Sequence, residues 1–174
     1  MSVSVELIKE LRHMTSASVA HCREALLETK GDLKKAAEVL KKKGLEIAAK
    51  KGSRAAKEGR VEAYIHMGNK IGVLLEVNSE SDFVARNPEF TQFTKDVAMQ
   101  IAATSPAYVS KDDVPAEKLE QEHNKELFIK EHCLLEQSFI KDAGVTIRDL
   151  LGALVGKMGE NIVIRRFIRY KIGE

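Results

Sequence analysis

Apolar positions along the chain follow a helical spacing first, then a period of two, then each again in turn. Leu7, Ile8 and Leu11 share a face of a helix predicted over residues 4–13, with Ser4 at its N-cap. After the turn Met14-Thr15-Ser16-Ala17-Ser18, a second helix aligns Val19, Cys22 and Leu26. Gly31-Asp32 stops it and caps a third, in which Leu33, Ala36, Ala37 and Leu40 line one face as far as Gly44. Val61, Ala63, Ile65 and Met67 then alternate with Glu62, Tyr64 and His66. Gly68-Asn69 turns the chain, and Ile71, Val73, Leu75 and Val77 alternate in the same way, which predicts a β-hairpin. Asn87-Pro88-Glu89 reads as N-cap, first helical residue and acidic first turn of a helix over 88–104, carrying Phe90, Phe93, Val97 and Ile101. Pro115 opens a weaker helical pattern with Leu119, Leu127 and Phe128, read as helix to Leu135.

Thr146 and Asp149 form a capping-box start. The amphipathic run Ile147, Leu150, Leu151, Leu154, Val155 and Met158 follows, closed by Gly159. From Asn161 to Ile172 the chain is β-rich: Ile162 and Ile164 are in phase, as are Ile168, Tyr170 and Ile172. Arg166 interrupts the row, so a bulge or a partly exposed face is expected there. The fold class is α+β. Residues 1–44 form a three-helix module and 45–59 a basic linker. Residues 60–174 form a core with a three-stranded antiparallel sheet packed against helices. Three strands leave one sheet face short of cover, which a second copy of the chain would supply.

Composition narrows the function classes. The 174 residues are 44% hydrophobic and 31% charged, with no Trp, as in a soluble globular protein. A net charge of +2 is too close to neutral for a dedicated nucleic-acid binder. Two cysteines, Cys22 and Cys133, make no disulfide framework and point to a reduced compartment. No signal peptide or membrane span fits, so a cytoplasmic location is expected. The stretch 41–60 is basic (Lys41, Lys42, Lys43, Lys50, Lys51, Arg54, Lys57, Arg60). It reads as a solvated face, because no aromatic residue is interleaved for base stacking.

Three features bear on enzymatic chemistry. Gly152 to Met158 resembles a phosphate-binding loop. However, its spacing is one residue short, Met158 stands where a magnesium-holding hydroxyl is needed, and the segment lies inside a helix. His123, His132 and Cys133 lack the paired spacing of a zinc site. No nucleophile elbow or activated cysteine is present. The expectation is a protein that is not an enzyme, with no catalytic residue, no metal and no cofactor.

What remains is Asn78-Ser79-Glu80-Ser81-Asp82-Phe83-Val84-Ala85-Arg86-Asn87-Pro88, between the end of a strand and the start of a helix. An acid followed by a large aromatic sits where rigid elements can hold it and still offer it outward. Local sequence also admits Phe83 as an ordinary core residue, since Phe is usually buried. Its capping role is excluded, because a staple across Asn87 would pair Arg86 with Thr91.

The run Glu76 to Asn87 resembles the signature of the elongation factor Ts family. So do Lys157 to Arg166, Leu7 to Arg12, Cys22 to Leu26 and the hairpin. The resemblance implies that the N-terminal module is ubiquitin-associated-like. It also implies a guanine-nucleotide exchange factor that binds the GTPase elongation factor Tu and promotes GDP release during translation elongation. In that scheme Asp82 and Phe83, flanked by Ser81 and Val84, wedge toward the magnesium and phosphate site of the GTPase. Val19, Ala20 and Arg23 mark the module's contact with it, and Met158 and Gly159 that of the core. Ser81 stands where the family usually has Thr, and Val19-Ala20 where it has a Met-Met pair. Compact members pair through their sheets, so a homodimer is expected, with no membrane and no direct nucleic-acid contact. The rival readings are a ribosome- or RNA-binding accessory protein using residues 41–60, and an adaptor acting through residues 1–44 alone.

Overall fold

The computed structural model describes residues 3–15 and 17–174; Ser16, within the predicted first turn, lies outside the described residues. Three helices come first: α1 (Val5–Thr15), α2 (Val19–Glu28) and α3 (Leu33–Lys51). Their starts are set by local capping. Ser4 Oγ accepts from the Leu7 N–H at 3.2 Å, Ser18 Oγ from His21 at 3.2 Å, and Asp32 Oδ1 from Lys35 at 3.1 Å. Gly31 ends the turn before α3 at φ +89°, a value that suits only glycine without strain. Leu11, Cys22, Ala25, Leu26, Ala36 and Leu40 close a small core between these helices.

The third helix does not stop at Gly44. Residues 45–51, expected to begin a basic linker, are its last two turns, and Ile47 and Ala48 pack on the main core. One helix therefore serves both cores. The reason lies in the partner helix α8 (Ile147–Met158): a Cβ on Gly44 would meet the backbone of Gly152, and a Cβ on Gly156 would meet the Cα of Gly44. A glycine that reads locally as a stop is here the point of close approach between two helices.

The main sheet holds β1 (Glu58–Ile65), β2 (Ile71–Ser79) and β5 (Ile162–Lys171), antiparallel throughout with β2 in the centre. Between β2 and α8 come α4 (Asp82–Ala85), α5 (Pro88–Thr104), α6 (Ala116–Gln121) and α7 (Lys125–His132), then a small ladder of β3 (Ser138–Phe139) and β4 (Asp142–Thr146). The single helical stretch expected from Pro115 to Leu135 is thus two short helices broken at 122–124, and the β3–β4 ladder was not foreseen.

Val73, Leu75 and Val77 of β2 and Ile162 and Ile164 of β5 face α5 and α8, meeting Phe90, Val97, Ile101 and Val155. The alternation in β1 runs the other way. Glu62 is buried, and its carboxylate accepts from Arg60 Nε at 2.8 Å and Thr94 Oγ1 at 3.1 Å. Val61, Ile65, Leu74, Ile168 and Tyr170 are exposed on the opposite face. The register of β5 against β2 slips between Glu76 and Val77, leaving Arg165 as the extra residue of a bulge. This is the irregularity that Arg166 announced in the sequence.

Candidate functional site

β2 ends at Ser79, and the chain turns through Glu80 and Ser81 into the four-residue helix α4. So short a helix has no stability of its own and must be held from outside. Ser81 occupies its N-cap position without making a side-chain cap bond. Instead its N–H donates to Glu160 Oε2 at 3.0 Å and its hydroxyl to Glu160 Oε1 at 2.6 Å. Ser79 Oγ donates to the Ser81 carbonyl at 2.8 Å. In return, Glu80 Oε1 accepts from the Asn161 N–H at 2.6 Å. The two turns clasp each other through paired side-chain-to-backbone bonds.

On the far side of α4, Val84 and Ala85 are buried in the main core. Asn87 Oδ1 accepts from the Glu89 N–H at 2.8 Å, fixing the start of α5. Asp82 pairs with Arg86 one turn on, at 2.9 Å. The remaining side chain, Phe83, is 84% exposed. Leaving a phenyl ring in water forgoes about 2 kcal/mol of burial, so the anchored turn displays its ring at a cost to the isolated chain.

The other expected contact residues divide. Val19, Ala20 and Arg23 are exposed on the outer side of α2, which packs on α1 and α3. Gly159 is exposed at φ +72° and caps α8, and its carbonyl accepts from Lys51 Nζ at 2.6 Å. Met158 is half-buried against the core. Val84 was expected at the partner surface, but it is buried and anchors the turn from within. The structure brings Ser81–Phe83 and Met158–Glu160 together, while Val19, Ala20 and Arg23 stand on a separate helix. Glu80, Glu160 and Asn161 carry the geometry and were given no role beforehand; the only signal was that they fall inside the two longest motif runs.

Asn161 is itself buried and ties in a third segment, donating from Nδ2 to the Arg54 carbonyl at 2.7 Å. Elsewhere, His132 lies against Phe128 with ring centres 4.5 Å apart and ring planes tilted by 40°. Burial pushes up the Cys133 thiol, helped by Glu136 and Asp113. Among the described residues, no three His, Cys, Asp or Glu side chains gather to hold a metal ion, and no helix is long and apolar enough to cross a membrane.

The family described as Elongation factor TS matches residues 3–126. A protein named elongation factor Ts from Caldanaerobacter subterraneus subsp. tengcongensis is 48% identical over 195 residues, covering 99% of this chain and 98% of its own. The chain belongs to the elongation factor Ts family. Thermodesulfovibrio yellowstonii has an elongation factor Ts 45% identical over 196 residues, covering all of this chain and 98% of its own. These alignments reach the C-terminal turn that holds Ser81, beyond the span of the family match. Membership makes the chain a translation elongation factor, with its role in protein biosynthesis. The displayed turn 81–83 is part of the stretch that the elongation factor Ts family match covers.

Proposed function

We propose that this chain is a guanine-nucleotide exchange factor in the cytoplasm, acting on elongation factor Tu, with Asp82 and Phe83 as the elements that enter the GTPase. The observation that carries the proposal is the exposure of Phe83 on a turn anchored from both sides. A factor that binds the open GTPase better than the GDP-bound form weakens GDP binding by the same ratio. An aromatic wedge between helices near the phosphate and magnesium site achieves this without touching GDP. Losing several charge-assisted bonds there speeds release by orders of magnitude. Met158 and Gly159 extend the same contact, and Val19, Ala20 and Arg23 form a second one. The test is GDP release from GDP-loaded elongation factor Tu: the wild type accelerates it and Phe83→Ala abolishes most of the gain. Unchanged acceleration by a folded Phe83→Ala protein would refute the wedge.

The protein also works as a homodimer in this reading. The open sheet face presents Val61, Ile65, Leu74, Ile168, Tyr170 and Ile172, an apolar patch three strands wide. Such a patch calls for cover, and a second copy offers the same apolar surface.

The RNA-binding alternative has less support. Of the basic residues in 41–60, Lys41 pairs with Asp149, Lys43 with Glu24 and Glu28, Arg54 with Glu80 and Arg60 with Glu62, while Lys51 holds the Gly159 carbonyl. Four of the eight basic residues are thus answered by carboxylates within the chain. Salt-sensitive RNA binding without any effect on GDP release would favour that alternative.

A further inference from the structure

We infer that Glu160 is a positioning residue for the Phe83 wedge, a role that rests on the exchange reading above. The argument begins with what α4 lacks. It is four residues long, too short to hold itself, and the residue at its N-cap makes no capping bond of its own. The carboxylate of Glu160, reaching from the turn between α8 and β5, instead fixes the N-cap residue itself. It takes both the N–H and the hydroxyl of Ser81, one on each oxygen. Bonds to an ionised acceptor are the stronger kind, and two on one carboxylate fix direction as well as distance.

Two residues beyond Ser81, the Phe83 side chain is exposed rather than packed in the core. Its backbone is held by Ser81 on one side and by the buried Val84 and Ala85 on the other. Glu80 and Asn161 complete the clasp in the reverse sense. A wedge held this way enters its partner without first having to be ordered, which is where preorganised contacts gain affinity. Glu160 therefore acts through Phe83 and need not touch the GTPase.

The test uses the full-length chain and two independent readouts. In the nucleotide-release assay, Glu160→Ala lowers the apparent kcat/KM for exchange by about tenfold. Glu160→Gln stays within about threefold of wild type, because its oxygen accepts from the Ser81 N–H and its amide donates to the Ser81 hydroxyl oxygen. Added to Phe83→Ala, Glu160→Ala has no further effect. Without any partner, amide hydrogen exchange reads the turn itself. Ala85, Arg86 and Asn87 donate to the carbonyls of Ser81, Asp82 and Val84, and their protection falls about tenfold in Glu160→Ala while β2 and α5 keep theirs.

Wild-type protection of residues 85–87 in Glu160→Ala would overturn the inference. So would a loss that spreads through β2 and α5, or an equal further loss in the Phe83→Ala background. If the wild type failed to speed GDP release, the exchange reading would fall, and the protection measurement alone would decide whether Glu160 holds the turn.

Discussion

A Cβ built on Gly44 would stand 3.1 Å from the carbonyl oxygen of Gly152, so α3 and α8 meet backbone against backbone. The obstacle is main chain and cannot rotate away. A Cβ on Gly152 meets mainly the tip of Leu45, at 2.9 Å, a flexible side-chain end that can move. The two glycines therefore respond differently to substitution. Gly44→Val is expected to destabilise by about 2–3 kcal/mol through forced separation of the helices. Gly152→Ala is expected within about 1 kcal/mol of wild type, since the gain in helix propensity offsets a small shift. Urea unfolding midpoints of the two variants test the contrast.

Asp149 joins the same two helices electrostatically. Burial pushes its carboxyl upward, but hydrogen bonds from Lys41 and Thr146 together outweigh that and hold it below the ordinary aspartate value. Lys41 Nζ lies 2.7 Å from it, and the Thr146 N–H donates to it at 2.8 Å. A carboxylate depressed on folding stabilises above the unfolded pKa of about 4, and that contribution disappears as pH falls through the lower folded value. Asp149→Asn is thus expected to cost about 1–2 kcal/mol at pH 7. Its gap from wild type should narrow below about pH 4. Unfolding midpoints measured from pH 7 down to pH 3 would reveal a gap that fails to close.

Phe83 and Val84 are neighbours with opposite surroundings, which separates activity from stability. Phe83→Ala should shift stability by no more than about 0.5 kcal/mol, because the ring contacts solvent. Val84→Ala empties a buried site and should cost about 1–3 kcal/mol. Thermal melts of both variants, beside nucleotide release at a temperature where both are folded, should show the first inactive but stable and the second weakened in the reverse order.

Leu74 and Ile168 face each other across the centre of the open sheet face. Leu74→Lys places a charge where the proposed second copy would sit. Sedimentation velocity should give twice the chain mass for wild type and the single-chain mass for Leu74→Lys. A dimer unmoved by this change would remove the sheet face as the interface.

Much of the fold was written in local chemistry. Ser4, Ser18, Asp32, Asn87 and Thr146 each cap a helix with an oxygen a few residues from its donor, so short-range pattern sufficed to place those starts. What short range could not carry was tertiary. Gly44 continues a helix because α8 rewards the missing Cβ, and α8 lies about a hundred residues on. Alternation in β1 marked two faces but not which would be inward; Glu62 went in because Arg60, Thr91 and Thr94 were there to bond it and its arginine. Phe83 was ambiguous for the same reason. Its exposure follows from the fixing of Ser81 by Glu160, 79 positions away, a pairing that no periodicity reports.

The bulge on β5 decides more than local twist. Ile162 and Ile164 look inward, while Ile168, also even-numbered, looks out with Tyr170 and Ile172, because Arg165 adds one position and inverts the count. Deleting that single arginine would straighten the strand and keep these faces, because Arg166 would then follow Ile164 directly; drawing Arg165 into the ladder instead would send Ile168 and Tyr170 toward α5 and Phe167 and Arg169 to the outside. The apolar outer flank thus exists only while one residue is held out of the ladder.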